Sequence, residues 1–188
     1  MRFITHSGVV ALAVAAVLSG CSGSEKPGKV FTAADVTRIA NVRPVTAGWA
    51  WPRDPEKSDS SDSPTEAQST VLGEAGNTWR DDDKLANLAV GVLASASHAH
   101  EALAELNAYS RGLGERSGDI TKDEEIDGLG DEAWVLWVEG NGREVTYHWR
   151  RGNLFVEAHV HCFGFCPGDV DAAARAWVDA IDQEARTG

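Results

Sequence analysis

The sequence predicts an α+β domain, an antiparallel meander sheet packed by helices. Three observations predict it. Residues 132–139, 143–150 and 154–162 are strand-like, apolar and polar residues alternating through the last two; Gly140-Asn141-Gly142 and Gly152-Asn153, which suit tight hairpins, separate them. Asp169, a good N-cap, is followed by Val170, Ala174, Trp177 and Ile181 at helical spacing. An apolar run, Leu85 to Ala94, precedes another helical stripe of Ala99, Ala102, Leu103 and Leu106. Strands with packing helices make a two- or three-layer arrangement.

Taken in chain order, the first element is a leader. Arg2 supplies a positive charge, and Gly8 to Val17 is an apolar run shorter than the ~20 residues a membrane-crossing helix needs. It reads as the apolar core of a signal peptide over residues 1–20. Leu18-Ser19-Gly20-Cys21 resembles the lipobox of bacterial lipoproteins. That resemblance implies a lipidated Cys21 at the mature N-terminus, carrying a diacylglyceryl thioether and a further acyl chain such as palmitate. Two or more chains, at ~0.8 kcal/mol per buried methylene, make a lasting anchor. The expected location is the extracytoplasmic face of the cell membrane. Residues 21–30, with Gly23, Pro27 and Gly28, read as a flexible tether, and 31–188 as one α+β domain.

Thr32 can cap a short helix over Ala33 to Val42 with Val36, Ile39 and Ala40 on one face, ending before Pro44. Residues 52–69 hold a Ser/Asp-rich acidic run without an apolar stripe, so a loop is expected there. Thr70 to Arg80 is ambiguous, a strand being one reading, and Leu85 to Ala94 suits a buried strand or the start of a helix. Ser97 is the expected N-cap of a helix from His98 to about Tyr109. Gly112 to Asp127 reads as a second acidic loop.

Pairing the last two strands across Gly152-Asn153 sets Arg151 opposite Leu154, Trp149 opposite Val156 and Tyr147 opposite Ala158. One face then carries Val145, Tyr147, Trp149, Val156, Ala158 and Val160. The other carries Glu144, Thr146, His148, Glu157, His159 and His161. Such segregation is expected of a sheet buried on its apolar side.

Gly128-Leu129-Gly130-Asp131-Glu132-Ala133, the Arg150-Arg151-Gly152-Asn153 hairpin and the closing helix resemble one family group over about residues 85–185. The group comprises small actinobacterial lipoproteins of unknown function and the extracellular sensor domain of PknH-type serine/threonine kinases. The resemblance implies a sandwich of antiparallel sheet and helices, similar to the Mog1/PsbP-like group, and no established activity.

Composition narrows the function. The net charge of −12 is the wrong sign for nucleic acid, whose phosphates demand a basic patch, and for electrostatic adhesion to anionic lipid. Of the 3 cysteines, Cys21 is assigned to lipid, leaving Cys162 and Cys166 as an even pair expected to oxidise outside the cytoplasm. Three residues lie between them, so the pair suits a turn-fixing disulfide rather than a redox-active motif.

His148, His159 and His161, with Glu144 and Glu157 between them, offer imidazole and carboxylate donors suited to zinc or copper. A one-residue register slip would separate His148 from the other two. Asp123 to Gly128 is faintly like a calcium loop, but Trp134 occupies the position of the bidentate acid. Among 7 tryptophans, Trp134, Trp149 and Trp177 are expected in the core, with Trp137 on the face opposite Trp134; an exposed indole beside acids could stack on a sugar. No Gly-x-Ser-x-Gly elbow, Ser-x-x-Lys, His-Glu-x-x-His or phosphate loop occurs. A non-enzymatic, lipid-anchored envelope module binding a protein partner or small ligand is therefore expected. A metal-binding lipoprotein and an envelope glycan hydrolase are the alternatives.

Overall fold

A computed structural model describes residues 29–44, 51, 54–58, 70–164 and 169–188. The leader, Cys21 and most of the tether lie outside the described residues, as do Cys166 and most of the acidic run. Three helices and seven strands are described: α1 (Ala33–Ala40), β1 (Glu56–Ser58), β2 (Val71–Asp81), β3 (Lys84–Leu93), α2 (Ala96–Ser117), β4 (Gly118–Glu125), β5 (Glu132–Gly140), β6 (Gly142–Arg151), β7 (Leu154–Phe163) and α3 (Val170–Thr187).

All seven strands join one antiparallel sheet in the order β1-β2-β3-β7-β6-β5-β4. The α+β class, an antiparallel meander sheet packed by helices, is as the sequence predicts. Two meanders, β1–β3 and β4–β7, are joined where β3 pairs with β7. The long α2 crossover makes this possible by carrying the chain from β3 to the far edge before it returns.

Residues at the β6–β7 hairpin pair in the expected register: Arg151 with Leu154, Trp149 with Val156 and Tyr147 with Ala158. Their apolar face packs with α1 and α3 in the main core, where Trp149 and Trp177 are fully buried. Trp79 meets Trp177 edge to face at 5.6 Å. The Asp169 carboxylate accepts from the Asp171 and Ala172 N–H groups, capping α3. The opposite face carries α2, whose Ala99, Ala102 and Leu106 pack on Leu93 and Phe155.

Several expectations are corrected. The N-cap of α2 is Ser95, which accepts from the His98 N–H at 3.2 Å. The helix continues through Arg111 to Ser117, and residues 118–125, five of them charged, form β4, so the second acidic loop is a helix end and an edge strand. Gly114 has a packing reason: an added Cβ would lie 2.9 Å from Val138 Cγ2. Residues 56–58, expected in the acidic loop, form β1. Trp134 and Trp137 exchange places. Trp137 pairs with Val145 and packs on the main core, whereas Trp134 pairs with His148 on the α2 face.

Candidate metal centre

The polar face of β6 and β7 is assembled by strand pairing. Glu144 lies opposite His161, Thr146 opposite His159, and His148 opposite Glu157. Alternation then aims all six side chains toward α2. One ligand atom each from Glu144, His159 and His161 falls within 4.8 Å of the others. His161 Nδ1 is 3.4 Å from Glu144 Oε1, and His159 Nε2 is 3.7 Å from Glu144 Oε2. Two donors ~2.1 Å from a tetrahedral zinc stand ~3.4 Å apart, a separation with which the two His–Glu spacings are compatible.

All three residues are partly buried, with side-chain exposures of 26% for Glu144, 19% for His159 and 14% for His161. The facing His159, then His161, hold the Glu144 carboxyl below its usual range despite burial. Burial pushes the His161 imidazole down, favouring the neutral form a metal requires. His159 Nε2 is buried without a hydrogen-bond partner, too far from Glu144 for a direct bond. A buried unsatisfied nitrogen costs free energy that coordination would recover. Phe163 lies against the His161 ring, 3.9 Å between centroids and tilted by 35°.

His148 and Glu157 form a separate pair beneath α2. His148 is 1% exposed; its Nδ1 donates to Asn107 Oδ1 at 2.7 Å, and its Nε2 lies 3.4 Å from Ser110 Oγ. Glu157 Oε2 is 3.9 Å from the same Nε2. Burial pushes His148 down to about 3 and pushes the Glu157 carboxyl up, so both are driven toward their uncharged forms. Asn107 and Ser110 were not singled out from sequence: they reach His148 only because α2 extends across β6.

The remaining sequence candidates fall elsewhere. His98 Nδ1 lies 3.0 Å from Ser95 Oγ, and His100 Nδ1 lies 2.7 Å from Glu132 Oε2. Asp123 is in β4, where Arg111 binds both carboxylate oxygens and the Trp134 indole N–H donates to one of them at 2.6 Å. That carboxylate is committed to a side-chain network rather than to a calcium loop. Cys162 is fully buried at the end of β7.

No family model and no curated protein sequence matches the chain. Among solved structures, it is similar to the extracellular domain of PknH from Mycobacterium tuberculosis. The two share 13% identity at a TM-score of 0.41, over 82% of this chain and 93% of that one.

Proposed function

We propose that this chain is a non-enzymatic, lipid-anchored binding module of the cell envelope whose small ligand is a divalent transition-metal ion, zinc or copper. The observation that carries the reading is the convergence of Glu144, His159 and His161 on one point. Two imidazoles and a carboxylate leave a position of a tetrahedral ion open to water or to a donor from a partner protein. Metal exchange with an envelope partner suits such an incomplete set. The absence of catalytic sequence motifs supports a binding role.

The anchor belongs to the same reading and rests on the lipobox at Cys21. No helix among the described residues is long and apolar enough to cross a membrane. A Cys162–Cys166 disulfide also belongs to it, supported by Cys162 standing as a half-cystine.

Calorimetry on the metal-stripped full chain in detergent tests the metal reading. Micromolar or tighter 1:1 binding of zinc or copper is expected, lost in His159→Ala/His161→Ala; no micromolar binding contradicts it. Mass spectrometry of membrane-extracted protein should find acyl chains on Cys21, and an intact Met1 or bare Cys21 would remove the anchor. Turnover of labelled peptidoglycan that vanishes on changing one Asp or Glu would replace the binding role with a hydrolase.

A further inference from the structure

A second concavity lies away from the histidine cluster, between the first half of α2 and the strands β4 and β5. This cleft of ≈ 410 Å³ is lined by His100, Leu103, Asn107, Glu125, Glu132 and Trp134, among others, within the size range of small-molecule sites. None of these residues belongs to the proposed metal ligands. Leu103 supplies an apolar surface, and Trp134 an indole held by its N–H bond to Asp123.

The charges around the cleft select the ligand by elimination. An organic cation is disfavoured because the Arg111 guanidinium, 5.9 Å from the centroid of the Trp134 ring, would repel a second positive charge there. Glu132 is also already paired with Arg150 and His100, which hold its carboxyl below the usual range. An anion is disfavoured by Glu125 and Glu132 in the wall. A purely apolar ligand would leave polar groups of the wall without partners. Asn107 gives its Oδ1 to His148, which leaves its NH₂ available as a donor, and Glu125 offers acceptors with no partner among the described residues.

What remains is a neutral ligand that donates and accepts along its rim and presents a C–H face to an aromatic ring. We infer that the cleft binds a sugar ring stacked on Trp134, its hydroxyls bonded to Glu125 and the Asn107 amide. The inference is independent of the metal reading, since neither site borrows a residue from the other.

The test uses the full chain in a non-glycosidic detergent. Saturation-transfer NMR and calorimetry are run with the methyl glycosides of glucose, mannose, galactose, arabinose and N-acetylglucosamine, and with the chitin trimer. At least one should bind, with saturation concentrated on the C–H protons of one ring face. Affinity should fall about tenfold in Trp134→Leu and about threefold in Glu125→Gln, while His159→Ala/His161→Ala binds as the parent does. Glu125 is exposed, so its variant carries the test even if Trp134→Leu fails to fold. A trimer that binds more tightly than its monomer assigns the ligand to a glycan chain, and equal binding assigns it to a free sugar. No transfer from any probe, transfer unaffected by Glu125→Gln, or saturable binding of choline or acetate in place of the glycosides would overturn the inference.

Discussion

The two faces of the β6–β7 hairpin are built from alternate residues of the same strands, yet they do different work. Toward α1 and α3, Val145, Tyr147, Trp149, Val156, Ala158 and Val160 are all buried in one apolar core. Toward α2, Glu144, His159 and His161 are only partly covered, and one imidazole nitrogen is left without a hydrogen bond. The first face supplies stability through apolar burial. The second carries polar groups whose burial costs free energy, tolerated because the first face holds the strands in place. In this molecule, fold and candidate chemistry are separated by the two-residue period of a strand.

That contrast can be broken most severely from the dry side. Trp177 is fully buried against Trp79, with its indole N–H donating to the Val42 carbonyl. Trp177→Ala should cost about 3–5 kcal/mol in urea unfolding. A cost under about 1 kcal/mol would show that the α3 face does not carry the stability assigned to it.

A buried polar group at the sheet end comes next. The Asn153 side chain accepts from the Phe31 N–H at 2.8 Å and donates to the Phe31 and Leu93 carbonyls at 3.1 and 2.9 Å. Asn153→Ala would orphan all three backbone groups, and a loss of about 2–3 kcal/mol is expected. Hydrogen exchange at the Phe31 amide should rise accordingly.

The wet face should make stability depend on acid. His148 has a folded pKa of about 3, below its unfolded value of about 6.5. Its contribution is complete above the unfolded value and is lost as pH falls toward the folded one, because the unfolded chain alone takes up the proton. The lowered Glu144 acts in the same direction at lower pH, whereas the raised Glu157 opposes both. About 2–3 kcal/mol should disappear from the His148 contribution between pH 7 and pH 4, and His148→Asn should flatten that part of the profile. Equal slopes in parent and variant would contradict the burial of a neutral imidazole there.

Smallest in stability is the metal cluster itself. His161→Ala should change unfolding free energy by less than about 1 kcal/mol while abolishing zinc binding. Loss of several kcal/mol would make His161 part of the scaffold and dissolve the contrast between the faces.

How much of this could be read from sequence follows the same division. The β6–β7 register was legible because Gly152-Asn153 pins the turn and a dry face fixes the alternation, and with it came the pairing of Glu144 with His161. In β5, the run Ala133 to Val138 is apolar on both faces, since both are covered, so periodicity could not tell Trp134 from Trp137. The end of α2 was hidden by Gly112 and Gly114, which read as loop residues although Gly114 admits close packing of Val138. β4 was hidden because an edge strand with exposed charges looks like solvated coil. Consequently the partners that bury His148 could not be foreseen: Asn107 and Ser110 reach it from a helix whose path is set by tertiary packing.

The most direct measurement is a long-range ¹H–¹⁵N imidazole spectrum of the full chain, recorded before and after one equivalent of zinc. The nitrogens of His159 and His161 should shift together, while those of His148 and His100 stay where they were. Unmoved resonances for His159 and His161, or a shift centred on His148, would contradict a metal centre built from Glu144, His159 and His161.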